Sequence, residues 1–253
     1  MRTLKLTVAY DGTRYAGWQV QRAKGQTPTI QGTLEQVLRR ILQEPVTVVG
    51  SGRTDAGVHA LAQVAHVRTG SAIPCARLSR SLSQLLPPDM AVLRVEEAPP
   101  RFHARFHAAG KHYRYRIFTG DVIPPFIRPY VHQVRAPLDV RAMRREAAAL
   151  NGRHDFRAFA RTERVRPRST RRAITDLAVT RRGSEIQIDV QGDGFLRTMV
   201  RSIAGTLIDV GRGRLAPGTV RRLLNTGARR AAGTTAPARG LTLVSVEYRD
   251  PYA

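Results

Sequence analysis

The run Gly50-Ser51-Gly52-Arg53-Thr54-Asp55-Ala56-Gly57-Val58-His59-Ala60 decides how the rest of this chain is read. The β-branched stretch Val46-Thr47-Val48-Val49 leads into it, and an apolar-alternating run, Ala62 to Val67, leads out. Glycine opens backbone conformations closed to other residues, so Gly50, Gly52 and Gly57 together predict a tight loop between two strands. Inside it sit one cation, Arg53, and one carboxylate, Asp55; on extended backbone, residues at i and i+2 share a face. The plainer reading is a turn in which Asp55 bonds its own backbone. The alternative is chemistry: a carboxylate held at a strand end by a glycine-framed turn meets a ligand with little side-chain freedom. An acid set among arginines in a strongly basic protein favours the second. The GxxxxGK[ST] phosphate cradle is missing from this run. No second carboxylate or histidine-rich cluster stands beside it, which argues against a metal site.

The charge balance narrows the partner. The chain has 253 residues, 42 of them Lys or Arg against 19 Asp or Glu, for a net charge of +23. Only Lys5, Lys24 and Lys111 are lysines, so 42 − 3 = 39 of the basic residues are arginine. Positive excess of this size favours a polyanionic partner, and arginine suits it through bidentate phosphate contacts and stacking. A membrane surface is a weaker reading, because no segment is clearly a basic amphipathic helix. No uncharged apolar run approaches the ~18 residues of a membrane span. Met1 to Gly12 carries Arg2, Lys5 and Asp11 where a secretory signal would need an apolar stretch. The single cysteine, Cys75, excludes an internal disulfide and reads as a small packed residue in a reducing compartment. Together these predict a cytoplasmic protein without membrane contact.

The organisation follows from hydrophobic periodicity. Thr3 to Tyr10 alternates as a strand, with Leu4, Leu6 and Val8 on one face, and Asp11-Gly12-Thr13 ends it. Trp18 reads as a packing residue. Ile30 to Glu44 has helical spacing, with apolar residues at 30, 34, 37, 38, 41 and 42, and Pro45 as its stop. Arg77 to Leu86 predicts a second helix burying Leu78, Leu82, Leu85 and Leu86; Met90 to Glu97 predicts a strand. The connector Arg101 to Phe106 carries His103, four residues before His107; that spacing can ligate zinc on a helix, but no third ligand is apparent. Pairing of the two histidines with RNA or backbone is favoured. Beyond it, Lys111 to Phe118 alternates as a strand with Tyr113, Tyr115 and Ile117 on one side. Asp139 is a candidate cap for a helix bearing Met143, Ala147 and Leu150. Ser184 to Val190 and Leu241 to Tyr248 read as strands. Phe195 to Val210 reads as one helix stopped by Gly211, with Arg197 and Arg201 one turn apart on its edge.

These elements predict an α+β chain of two pseudo-equivalent, ferredoxin-like (RRM-like) halves, 1–108 and 109–253. The halves would share one mostly antiparallel central sheet with helices on one face and a cleft between them, a usual place for a site. Two polar stretches read as solvated basic loops fit for phosphate: Arg157 to Arg172, with arginines at 157, 161, 164, 166, 168, 171 and 172, and Arg212 to Arg239.

The string GSGRTDAGVHA, intact at 50–60, resembles the signature of the tRNA pseudouridine synthase A family. Tyr10-Asp11-Gly12-Thr13 and Gly17-Trp18-Gln19 resemble its opening motif, and Arg101 to Phe106 another. The likeness continues through Phe195-Leu196, Met199-Val200-Arg201, Ala231-Ala232-Gly233 and Gly240-Leu241. It implies isomerisation of uridine to pseudouridine at positions 38, 39 and 40 of the tRNA anticodon arm, without cofactor or metal, by a homodimer. It places the catalytic role on Asp55 and a base contact on Tyr113. The residues themselves suggest Arg53 as the group that takes the place of an everted base and Arg201 as a cation to hold Asp55 ionised, since burial raises and a neighbouring arginine lowers a carboxylate pKa. A non-catalytic RNA-binding or RNA-remodelling module is the alternative, with Asp55 as a turn residue. A metal-dependent nuclease is a distant third.

Overall fold

The computed structural model describes residues 1–21, 27–161 and 169–252. Arg164, Arg166 and Arg168 of the first predicted basic stretch lie outside the described residues. The chain divides into two compact units, Met1–Ala109 with Leu243–Ala253, and Gly110–Thr242. The last strand is therefore grouped with the first unit, not with the rest of the predicted 109–253 segment.

The first unit is built from β1 (Arg2–Tyr10), α1 (Ile30–Leu42), β2 (Val49–Gly50), β3 (His59–Thr69), α2 (Cys75–Leu85) and β4 (Met90–Ala98), with β10 (Leu241–Tyr248) beside β3. β1 pairs antiparallel with both β3 and β4, and β2 pairs antiparallel with β3, giving the order β4-β1-β3-β2 of a ferredoxin-like β-α-β-β-α-β unit. The alternation read from sequence holds: Leu4, Leu6 and Val8 are fully buried. α1 is capped by Thr29, whose hydroxyl accepts from the Gly32 N–H, and it buries Ile30, Leu34, Leu38 and Leu42. It ends at Leu42, before the predicted Glu44, because Gln43 turns left-handed at φ 55°. In α2 the predicted Leu85 is exposed. The helix stops there, and extended backbone at Leu86 carries that leucine inward instead.

A second layer closes the other side of β1. Lys5 Nζ donates to the Tyr252 carbonyl (3.1 Å), lies 3.2 Å from Glu96 and sits 5.1 Å from the Tyr248 ring centroid. Phe102 packs on Tyr248 and Tyr252, and the Tyr248 hydroxyl donates to the Ala104 carbonyl. The connector is thus part of a core, and its histidines turn to backbone: His103 Nδ1 accepts from the Arg105 and Phe106 N–H groups, and His107 Nδ1 from the His103 N–H.

The second unit holds β5 (Ala108–Phe118), β6 (His132–Gln133), α3 (Val140–Ala148), β7 (Gly152–Asp155), β8 (Arg171–Arg182), β9 (Glu185–Gly192), α4 (Met199–Gly211) and α5 (Thr219–Thr226). Its order β5-β9-β8-β7 repeats in β5-β9-β8 the β1-β3-β2 of the first unit, with α3 and α4 in the chain positions of α1 and α2. β5-β9 and β8-β9 are antiparallel; the short β6 runs parallel to β5. Asp139 caps α3 through the Ala142 N–H, as its sequence position predicts. Five α-helices are present among the described residues.

Three expectations fail here. The helix predicted from Phe195 begins at Met199, because Thr198 is left-handed at φ 61°; Phe195 and Arg197 therefore precede it. α4 runs through Gly211 rather than stopping before it, and the left-handed residue that ends the turn is Gly213 (φ 70°). The basic stretch 212–239 is not a loop throughout: it contains α5, and its 233–237 segment is fastened along α4. There the Gly233 N–H donates to Thr206 Oγ1, the Thr234 N–H to Asp209 Oδ2, and the Ala236 N–H to the Arg201 carbonyl. Likewise Arg171 and Arg172 open β8.

The fastening needs a bare backbone at Gly205, where a Cβ would lie 1.6 Å from the Thr234 carbonyl oxygen. Gly205→Ala must push the strap off the helix. It should destabilise the protein by about 1–3 kcal/mol or more, read as a fall in thermal midpoint of several degrees. An unchanged midpoint would show that the strap is not packed this way.

Candidate active site

The loop that carries Asp55 spans residues 51–58, between β2 and β3. It is held at three points. At its start the Ser51 N–H donates to the Val64 carbonyl (2.7 Å), and the Ser51 hydroxyl donates to Gln63 Oε1 (2.6 Å), while Gln63 Nε2 donates to the Gly52 carbonyl (3.2 Å). Ser51 and Gln63 are both fully buried. At its middle Thr54 is gripped from both ends: its carbonyl accepts from the Trp18 N–H (3.1 Å), and its hydroxyl bonds the Tyr10 hydroxyl (2.9 Å). At its close the Val58 N–H donates to the Asp55 carbonyl (3.2 Å), around a left-handed Gly57.

Thr54 is buried between an exposed Arg53 and a half-buried Asp55. The alternation of burial is compatible with the i, i+2 relation of Arg53 and Asp55. The Arg53 Nε donates to Gln19 Oε1 (3.1 Å), and Gln19 in turn donates to Gln31 Oε1 in α1 (2.5 Å). The Asp55 main chain takes part in closing the turn.

The support is neutral. Burial pushes the Tyr10 hydroxyl pKa up to about 12, against the smaller opposing effect of its bonds to Thr54 and Gln63. It stays protonated under all ordinary conditions, so the grip on Thr54 does not depend on pH. Beside it, the buried His59 lies with Nδ1 3.1 Å from both the Gly12 nitrogen and Asp11 Oδ1.

In the second unit, Tyr113 sits on β5 opposite Val190, mostly buried, with the Phe195 ring edge-on at 5.1 Å and 82°. Arg201 is the third residue of α4, and its Nε donates to the Ala236 carbonyl (2.8 Å). The deeper Tyr115 hydroxyl donates to the Pro237 carbonyl (2.9 Å), and burial drives its pKa well above the usual phenol value. Arg53 and Asp55 thus belong to one unit, Tyr113 and Arg201 to the other. Sequence reasoning missed Gln63, Thr54, Tyr10 and Phe195 as supporting residues. The amide of Gln63, set beside Ala62, Val64 and Ala65 in β3, was the available signal. No group of three or more His, Cys, Asp or Glu side chains that could hold a metal occurs among the described residues, and no described helix is long and apolar enough to cross a membrane.

The first unit thus presents a half-buried carboxylate on a clamped loop between two strands. The family model described as tRNA pseudouridine synthase matches residues 6–107 and 147–249. Proteins named tRNA pseudouridine synthase A from Moorella thermoacetica and Pelobacter propionicus are each 46% identical over 248 residues, covering 98% of this chain and 100% of theirs. One of the same name from Geobacter sulfurreducens is 45% identical with the same coverage. The chain belongs to the tRNA pseudouridine synthase family.

The clamp can be tested apart from the acid. Gln63→Ala leaves the Ser51 hydroxyl and the Gly52 carbonyl without their partner, at a cost of about 1–3 kcal/mol. It should lower kcat for uridine conversion at least about tenfold with little change in KM for tRNA, because orientation of the reacting group is what is lost. A variant with wild-type kcat would remove Gln63 from the support of the loop.

Proposed function

We propose that this protein isomerises uridine to pseudouridine at positions 38, 39 and 40 of the tRNA anticodon arm, with Asp55 as the reacting carboxylate and neither metal nor cofactor. The observation that carries the reading is the match of the family model on both sides of the chain, with Asp55 standing in the clamped 51–58 loop. As a member of that family the protein is an isomerase acting on tRNA.

A paired base is out of reach, so the target nucleotide must first leave its stack, at a cost of a few kcal/mol. Arg53, exposed and with its Nε bonded to Gln19, is suited to take up the space or the phosphate left behind. Tyr113, backed by Phe195, offers an aromatic surface to the everted uracil, and Arg201 offers a guanidinium to the substrate. With Asp55 engaged on the nucleoside, the N1–C1′ bond breaks, the uracil turns, and the C5–C1′ bond forms. C5 then gives up its proton and N1 gains one, so the exchange balances without any other reactant. The carboxylate needs no activation beyond ionisation, and its reference pKa is about 3.9. What the protein must supply is position, and rigid presentation of a reacting group accounts for several kcal/mol of a barrier.

Asp55→Ala should bind tRNA with near wild-type affinity and release no tritium from tRNA carrying 5-tritiated uridine. Full turnover in this variant would end the assignment to Asp55; no tritium release by the wild-type chain would point to a binding module instead. We also propose that the protein works in the cytoplasm as a homodimer, one copy gripping the tRNA while the other holds the reacting nucleotide. Sedimentation should then give twice the 28.0 kDa chain mass, and a purely monomeric active species would refute it.

A further inference from the structure

Phe106 is an exposed aromatic that the fold does not explain. The residue is 74% solvent-exposed, whereas Phe102 and Ala104, four and two residues earlier, are completely buried. Single exposed apolar residues are ordinary, but this one is held in place. The ring stacks on His103 at 4.2 Å and 25°, and His103 lies in turn 4.8 Å from the buried His66. The turn beneath is locked by the His103 and His107 side chains, which accept three backbone N–H groups between them. His107 stacks on Tyr252 at 4.1 Å and 13°. Phe106 therefore caps a column of rings rooted in the core.

Its surroundings are cationic. Arg68 and Arg105 are both exposed, and both lie near enough to His103 to add to the burial and the His107 charge that lower its pKa. Neither arginine takes part in an ion pair among the described residues. His103 and His66 are both biased to the neutral state, so the column itself adds no charge at neutral pH. An exposed aromatic ring stacked on a fixed histidine, with exposed arginines next to it in sequence (Arg105) and near the same histidine (Arg68), matches an unstacked nucleobase and its flanking phosphates, since bases in RNA loops are held by stacking on aromatic side chains.

We propose that Phe106, with Arg68 and Arg105, is a stacking platform for an unstacked nucleobase of the RNA substrate other than the uridine that reacts. The inference rests on the tRNA reading for the identity of the RNA. Its test is a direct binding measurement, independent of turnover: fluorescence anisotropy of labelled tRNA with the full chain. Phe106→Ala should weaken binding about 5- to 100-fold, the range that loss of one base–aromatic stack gives, and Phe106→Trp should restore it. Arg68→Ala and Arg105→Ala should each flatten the log–log salt dependence by about 0.7–0.9. In multiple turnover, Phe106→Ala should raise KM with kcat unchanged. Phe106→Ala with wild-type tRNA affinity overturns the platform. So does a variant whose sedimentation changes while its affinity per assembled copy does not, because a second copy of the chain would then be what covers Phe106. A wild-type chain that binds tRNA through Phe106 but forms no pseudouridine refutes the catalytic reading and leaves the platform standing.

Discussion

The geometry of the first unit depends on three places where a side chain would not fit. A Cβ on Gly12 would lie 2.0 Å from the Val58 carbonyl oxygen, one on Gly17 2.6 Å from the Thr54 carbonyl oxygen, and one on Gly50 2.5 Å from the Trp18 indole. These contacts fall in turn at the end, in the middle and just before the start of the Asp55 loop. Gly17 also needs its left-handed φ of 93° to turn the Trp18 N–H onto Thr54. Trp18 is thus a packing residue, as its sequence context suggests, but what it packs against is the bare backbone at Gly50. The segment after β1 and the loop before β3 are pressed together main chain to main chain, which leaves Asp55 little room to wander.

Acids hold strands together in both units; in the first, Glu96 faces Lys5 across the β1-β4 pair. In the second, acids are spent on holding strands: Asp189 lies opposite Arg114 in the β5-β9 register and bonds both Arg114 (2.9 Å) and His112 (2.6 Å), while Glu185 takes a bidentate grip on Arg116 (both 2.8 Å). Opposite charges facing across strands stabilise a sheet by a few tenths to about 1 kcal/mol each. Arg116 in turn depresses the Glu185 pKa. Glu146 takes the N–H groups of Gly218 (2.5 Å) and Val220 (2.8 Å) at the start of α5. With 19 acids against 42 bases, such pairings leave a large surplus of guanidinium groups for a polyanion.

The sequence disclosed most of this wherever one residue type has one physical use. The alternation of Leu4, Leu6 and Val8, the cap at Asp139 and the loop at 50–60 could all be read because period and capping chemistry are local. Failures came where tertiary contacts decide. Nothing local marks Thr198 as left-handed, so the apolar Phe195 and Leu196 extended the predicted helix backward by one turn, and Phe195 was hidden as the ring behind Tyr113. β8 and α5 were lost in arginine-rich stretches, because charge density reads as loop even when Ile174, Leu177 and Val179, or Val220 and Leu223, face inward. Of the candidate site, the loop bearing Arg53 and Asp55 was legible from its glycines and its motif; the supports Gln63 and Tyr10 were not, since an amide and a phenol become a clamp only when β1 and β3 lie side by side.

The clamp is neutral throughout: hydroxyls of Ser51, Thr54 and Tyr10, the Gln63 amide, and main-chain groups. That choice has a consequence in a protein of this charge. Had the loop been braced by ion pairs, each phosphate arriving on nearby arginines would have competed for the same guanidinium groups, and salt would have loosened loop and complex together. Hydrogen bonds between neutral buried groups are little affected by ionic strength, and with burial pushing the Tyr10 pKa up to about 12 they are little affected by proton release near neutral pH as well. Positioning of the carboxylate is therefore separated from attraction of the RNA. The first is fixed by packing and hydrogen bonds, the second by long-range charge, and the surface can carry many unpaired arginines without disturbing the placement of one acid.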